Sequence, residues 1–368
     1  MQAFRNIVAD SHSSSNRSFL TNVRALTIDA HGGLEQITFR DDAVQPSAGG
    51  AGDVRVRLRA AALNHLDLFV VAGMPGVTIT PQWVLGADGM GVVETVGADV
   101  RTVKIGDRVV INPGVSCHIC EYCISGEQSA CVKFALLGEH RPGTFAEFVT
   151  VPAINVRRIP GGISDVQAAA FTLATLTAWR MVVTRAQVRP GENVLIQGIG
   201  GGVAIAALQI AKSRGARVWV TSSSDEKLAR AAALGADETL NYTTTDIARE
   251  VRGRTNKRGV DVVIDSAGSA SWPSSLGALG RRGRLVTCGA SSGPIVQTDL
   301  RKMFWNQWTL MGSTMGNDSE FDAIVGELAA GRLVPPVDAV MPLSQGRAAF
   351  ERLASGKQFG KVVVIVDD

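Results

Sequence analysis

The chain has 368 residues, 45% of them apolar and 19% charged, enough for two domains of ordinary size. Thirty-seven Lys and Arg against 34 Asp and Glu leave a formal charge of +3, a surplus too small to build a polyanion-binding surface, which argues against a nucleic-acid partner. No run approaches the ~18 apolar residues of a membrane span, and the first residues lack the apolar stretch of a secretory signal, so a cytoplasmic protein with no membrane partner is expected.

Residues 1–21 include a polar, serine-rich run without apolar period and are expected to form a mobile N-terminal extension. Residues 22–163 read as a mostly β domain: alternating strands such as Val54 to Arg59 are separated by glycine turns such as 47–52. A cysteine lobe at about 115–133 interrupts it. Residues 164–313 switch to helices alternating with buried strands, starting with one apolar helix from Ser164 to about Arg185. Strands follow at Val194 to Ile196, Arg217 to Val220, Val260 to Asp265 and Arg284 to Thr287. Helices are expected at Val203 to Lys212 and at Asp225 to Leu234, where Gly235 stops the second. This order predicts an α/β fold with a doubly wound parallel sheet. Residues 314–368 carry a helix from Glu320 to Leu328, a Pro335-Pro336 turn, a helix from Gln345 to Leu353 and a closing strand from Lys361 to Val366. They are expected to return to the first domain.

Forty residues are glycine, above the usual ~7% share, and some of them make one functional turn. Val194 to Val203 reads as a strand, the turn Gly198, Gly200, Gly201 and Gly202, and a helix start at Val203. A dinucleotide pyrophosphate needs this arrangement, because glycines admit the phosphate to the backbone and the helix N-terminus presents free N–H groups. At the end of the next strand, where an NAD enzyme places an acid, stand Ser222 and Ser223, with Lys227 one turn later. Hydroxyls and a cation suit a 2′-phosphate, so NADPH is expected over NADH; Ser224 and Asp225 also suit a helix N-cap, and Lys227 a solvated charge. Tyr242 is a further candidate for the adenosine end, or a surface tyrosine in a turn.

Four of the five cysteines, Cys117, Cys120, Cys123 and Cys131, fall within fifteen residues. Four thiolates on one loop match a tetrahedral zinc with no open position, a structural site. An iron–sulfur cluster of the bacterial pattern needs a shorter last spacing.

The chain resembles the medium-chain dehydrogenase/reductase superfamily, its zinc alcohol dehydrogenase and quinone oxidoreductase group. The resemblance rests on Ala60 to Gly76 with Asn64-His65-Leu66-Asp67, on Gly86 to Val93, the cysteine lobe, the helix with Thr175 to Trp179, the glycine turn, and Leu310 to Gly316. It implies a GroES-like catalytic domain in two chain segments, a Rossmann domain, and a homodimer or homotetramer. It also implies where a catalytic zinc would bind: here Asn64, Ala87-Asp88 and Leu173 stand in place of its ligands, and none supplies a thiolate or imidazole. Without a Lewis acid a plain alcohol is a poor hydride donor, whereas a quinone or activated alkene or carbonyl spreads arriving charge onto an oxygen. The expected activity is therefore metal-free, NADPH-dependent reduction of such small molecules. Two alternatives stay open: an alcohol or aldehyde dehydrogenase holding its metal through Asp88 and His140, and an NADPH-binding protein without turnover.

Within that frame Asn64 is the candidate for contact with substrate oxygen or nicotinamide, or else a turn contact. Asp67 orders its loop, and His65 is a candidate for the cofactor phosphates. Thr177 resembles the family threonine beside the nicotinamide, or bonds its own helix. Cys288, Gly289 and Ser313, at the ends of predicted parallel strands, are candidates for the nicotinamide end. Cys288 alternatively packs as a small apolar residue.

Overall fold

The structure, a computed structural model, describes residues 22–366. The expected N-terminal extension lies outside the described residues.

Residues 193–312 are built on a six-stranded parallel sheet. In spatial order the strands are Glu238–Asn241, Arg217–Ser222, Asn193–Ile196, Val260–Asp265, Leu279–Thr287 and Thr309–Gly312. Numbered along the chain this is 3-2-1-4-5-6, the doubly wound order. The inner strands carry apolar runs, Val194 to Ile196, Val218 to Val220 and Val262 to Ile264, because helices cover both faces. Val194, Ile196, Val218 and Val220 pack on the helix Gly202–Ser213, while Leu195, Trp219 and Val263 pack on the other side with Ile247, Val251 and Leu276.

The other half curls a seven-stranded sheet around a core of Val54, Val56, Leu58, Val93, Val109, Phe145 and Phe350. Its long strand Asp53–Ala62 pairs with Asp88–Val96 and Phe148–Pro152. The closing strand Lys361–Ile365 pairs with the same strand antiparallel, Val363 opposite Ala62, and carries Val337–Pro342 along its outer edge. The C-terminal segment thus completes the first sheet. A continuous core joins the halves, since Ala60, Ala62, Met90 and Val110 pack in one cluster with Ala168, Phe171, Leu176 and the glycine-turn helix.

The single helix expected from Ser164 to Arg185 is instead three pieces: Asp165–Ala169, Thr172–Trp179 and a π-helical stretch Arg180–Arg185. The first break frees the Leu173 N–H and the Thr172 hydroxyl, and both donate to the Asp88 carboxylate, each at 2.6 Å. A carboxylate from the β domain thus sits on the start of the middle helix, where anions are favoured.

Candidate active site

The strand Asn193–Ile196 runs into the glycine turn, where Gly198 and Gly200 adopt φ of +69° and +133°, open to glycine at low cost. The turn is held from beneath by Thr221: its hydroxyl donates to Gln197 Oε1 (2.7 Å) and accepts from the Gly198 N–H (3.0 Å). Gly201 is the N-cap of the helix Gly202–Ser213, whose first turn includes Val203. A Cβ added to Gly198 or Gly201 would meet nothing within 4 Å, so open space lies over the turn where a pyrophosphate would approach.

Around the turn stand three nitrogen side chains from distant parts of the chain. Lys227 lies over Gly200, its Cδ 3.0 Å from where a Cβ would be, and its ammonium donates to the Gly356 carbonyl at 2.5 Å. The Lys361 stem lies over Gly202, its Cδ likewise 3.0 Å from a Cβ there. His65, exposed at the start of the helix His65–Ala72, is held below its ordinary pKa by desolvation, then by the Lys361 and Lys227 ammoniums. Burial also lowers the Lys227 pKa. The segment 356–361 closes over the turn, with the Gly360 N–H donating to the Gly200 carbonyl at 2.9 Å. Within it the Gln358 Oε1 is buried without a hydrogen-bond partner.

Ser222 is buried at its strand end, its hydroxyl accepting from the Ser224 N–H at 3.1 Å, and Ser223 beside it is exposed. Tyr242, half exposed, lies next to them, its N–H bonded to the Ser222 carbonyl. Ser224 caps the helix Asp225–Ala233, and the nearby Asp225 carboxylate is engaged by the Asn241 amide at 2.7 Å. Sequence reasoning grouped Lys227 with these serines; its ammonium instead lies beside Gly200, at the glycine turn.

Lys361 leads from Gly202 into a buried polar cluster. The carboxylate of Asp88, fully buried, accepts four hydrogen bonds: from Thr172 and Leu173 on Oδ1, and from Asn64 Nδ2 (3.0 Å) and Lys361 Nζ (2.9 Å) on Oδ2. Lys361, 4% exposed, also donates to Asn64 Oδ1 at 2.5 Å. The Asn64 N–H donates to Asp67 Oδ2 (2.7 Å), which ties down the loop as expected. Burial pushes the Asp67 carboxyl up to about 7, against the bond from Asn64 and the charge of Lys361, which pull it down.

This cluster bears directly on a catalytic metal. The positions that resemble its ligands, Asn64, Asp88 and Leu173, are joined by an ammonium and a backbone N–H, both donors, so the donor set does not fit a divalent ion. His140 is not part of it: its Nδ1 accepts from the Leu136 N–H and lies 3.8 Å from Glu139. Among the described residues, Cys117, Cys120, Cys123 and Cys131 form the one group of three or more His, Cys, Asp or Glu side chains close enough to share a metal. Their sulfurs all lie within 4.8 Å of one another, and neighbouring pairs are 3.4 to 3.9 Å apart, near the ~3.8 Å edge of a tetrahedron with ~2.3 Å zinc–sulfur bonds. Two N–H groups, of Cys117 and Lys133, donate to Cys131 Sγ at 3.3 Å, as a thiolate ligand needs. The four residues could hold a zinc ion with no open position.

Cys288, Gly289 and Ser313 line a cavity of about 580 Å³ at the C-terminal ends of the strands Leu279–Thr287 and Thr309–Gly312, with Thr287, Gly312 and Arg185. Burial, then Asp265, pushes the Cys288 thiol up to about 12, so it is a neutral thiol and not a nucleophile. The Ser313 hydroxyl is buried without a partner. Thr177 donates to its own helix at the Leu173 carbonyl (2.9 Å) and contacts Met315 Sδ at 3.7 Å. Lys361 and the segment 356–361 escaped sequence reasoning; the one local signal is a lysine opening an otherwise apolar strand.

Comparison with known proteins gives this site its family. The alcohol dehydrogenase GroES-like domain matches residues 50–161 and the zinc-binding dehydrogenase domain residues 202–330. A zinc-type alcohol dehydrogenase-like protein of Schizosaccharomyces pombe is 34% identical over 94% of this chain and 99% of its own length. The quinone oxidoreductase of Pseudomonas aeruginosa is 30% identical over 91% of this chain and 97% of its own. A crystal structure of an NAD-dependent alcohol dehydrogenase superposes with a TM-score of 0.88 at 44% identity, covering 94% of this chain and all of its own. With both domains matched and relatives aligned over nearly the whole chain, the chain belongs to the medium-chain dehydrogenase/reductase superfamily, in the group of zinc-type alcohol dehydrogenase-like proteins and quinone oxidoreductases, and is an oxidoreductase.

Proposed function

We propose that this oxidoreductase reduces quinones or other activated alkenes and carbonyls with NADPH, by hydride transfer that uses no catalytic metal. The observation that carries the reading is the Lys361–Asp88–Asn64 cluster, which joins positions that resemble the ligands of a catalytic metal through hydrogen-bond donors and a positive charge. Bound NADPH supplies the hydride. The chain supplies the rest: His65, Lys227 and the N-terminus of the helix Gly202–Ser213 attract the pyrophosphate, and Val203 is in that helix's first turn. Ser222, Ser223 and Tyr242 accept the adenosine end, and no acid among them repels a 2′-phosphate. Cys288, Gly289 and Ser313 receive the nicotinamide, where the partnerless Ser313 hydroxyl suits its carboxamide. Thr177 and Asn64 flank the reacting face. The four clustered cysteines hold one structural zinc per chain.

The edge strand Thr309–Gly312 is unpaired on its outer side, and nearby Leu300, Phe304 and Trp305 are each more than two-thirds exposed, which supports a homodimer built across that edge. Free thiols at metal spacing support a reducing, cytoplasmic setting. Among the described residues no helix is long and apolar enough to cross a membrane.

The test is NADPH absorbance followed as it falls with quinones, enones and aldehydes, and as it rises from NADP+ with alcohols, with and without added zinc. Oxidation by quinones or enones that added zinc leaves unchanged is the expected result. Zinc-dependent alcohol turnover, the activity of the alternative named for several relatives, would overturn it.

A further inference from the structure

Asn64, Asp88 and Leu173 come from three separate segments, yet one side chain, Lys361, completes their arrangement. Its ammonium donates to Asn64 Oδ1 and Asp88 Oδ2, and the other oxygen of Asp88 holds Thr172 and Leu173 at the start of the helix that carries Thr177. An ammonium only donates and a carboxylate only accepts, so the Asn64 amide has one permitted orientation: oxygen to Lys361, nitrogen to Asp88. Its second N–H is directed to the Ala62 carbonyl at 3.4 Å. Turning the amide over would set N–H against ammonium and oxygen against carboxylate.

We infer that Lys361 is a positioning residue for hydride transfer, tying Asn64, Asp88 and the helix Thr172–Trp179 into one rigid wall beside the glycine turn, in the place where relatives' resemblance puts a metal. The inference rests on the proposed metal-free activity and adds to it the residue that makes the wall rigid and electrically balanced. Without the ammonium, Asp88 leaves a net negative charge in the wall, which opposes the negative charge that a hydride brings to the substrate oxygen. The Asn64 amide also loses the partner that sets its orientation. The Lys361 stem crosses Gly202, so the same residue spans from the cofactor turn to the wall.

The experiment uses Lys361→Ala in the full-length chain, because the atoms removed beyond Cβ correspond to n-propylammonium. With a quinone or enone that the wild type reduces, kcat is expected to fall by about 10²-fold, the usual effect of a misplaced reacting group, with a smaller change in NADPH affinity measured by fluorescence. Added n-propylammonium is expected to restore the rate saturably, whereas tetramethylammonium, a cation without N–H donors, does not. A rate within threefold of wild type, or a folded variant that propylammonium leaves unrescued, overturns the inference. If Lys361→Ala does not fold, the double variant Asp88→Asn/Lys361→Met removes both charges at similar volume and is expected to fold and remain slow; a wild-type rate there also overturns it. Side-chain amide exchange of ¹⁵N-labelled Asn64 needs no turnover: it is expected to be slow in the wild type and at least tenfold faster in Lys361→Ala, and equal rates count against Lys361. A wild type that reduces no quinone or enone counts against the activity alone, since the exchange measurement still reads the wall.

Discussion

Replacing Arg180 with methionine is expected to destabilise the chain by about 3 kcal/mol, the low end of the range for breaking a buried ion pair. Arg180 opens the π-helical stretch Arg180–Arg185, and its guanidinium joins two carboxylates of very different setting. Glu320, with 7% of its side chain exposed, is 3.0 Å from Nη1; Glu127, in the cysteine lobe, bonds Nη2 and is 43% exposed. The exposed partner is worth about 0–1 kcal/mol because solvent screens it. The loss therefore comes from Glu320, left ionised and buried. It keeps the Thr184 hydroxyl and the Asn317 N–H as donors, which holds the penalty near the lower bound. With a urea slope of about 3 kcal/mol/M for a chain of this size, the midpoint should fall by about 1 M. Adding Glu320→Gln removes the orphaned charge and should recover more than half of that loss. Because Glu127 lies between Cys123 and Cys131, the single variant should also release zinc faster to a colorimetric chelator. A midpoint within 0.2 M of wild type (about 0.6 kcal/mol at that slope), or a double variant no more stable than the single, would refute the assignment of the energy to burial of Glu320.

Two further outcomes follow from the site. Ser222→Asp puts an acid at the end of its strand, where it would accept from a ribose 2′-hydroxyl and repel a 2′-phosphate, so the NADPH to NADH preference in kcat/KM should shift by about 100-fold or more toward NADH; an unchanged ratio would mean that the adenosine end binds elsewhere. Asp67 gives a pH signature: its carboxyl lies at about 7 in the folded chain against an ordinary 3.8, so folding binds a proton between those values, and its favourable contribution is present below about pH 4 and lost as pH rises through 7. Asp67→Asn does not titrate, and its thermal midpoint should gain on wild type between about pH 4 and 7; a constant difference across that range would refute the shift.

The features legible in the sequence are those whose cause is local. The glycine turn is a strand, a turn and a helix start within about a dozen residues, and the cysteine lobe is one loop, so residue spacing alone exposes both. The break after Ala169 is not legible, because the apolar run continues through it and the carboxylate that takes the freed N–H comes from Asp88, more than eighty residues earlier. Lys227 is misplaced from sequence for the same reason: the carbonyl that draws its ammonium to the glycine turn belongs to Gly356, 129 residues away.

The candidate site's central cation is a matter of register. Three local motifs state that Asn64, Ala87-Asp88 and Leu173 cannot ligate a metal, but none states what takes the metal's place. Sheet pairing does. Val363 stands opposite Ala62 on antiparallel strands, so continuing that register by two residues brings Lys361 opposite Asn64, and Asp88 is the cross-strand partner of Ala62 on the other side. The three polar groups meet because two neighbouring strands flank the end of Asp53–Ala62, across a sequence gap of 297 residues between Lys361 and Asn64. A one-residue slip of the closing strand would turn Lys361 to the opposite face and leave Asp88 buried without a cation, so the burial of this ion pair selects the register where the consecutive valines Val362, Val363 and Val364, buried on both faces, do not.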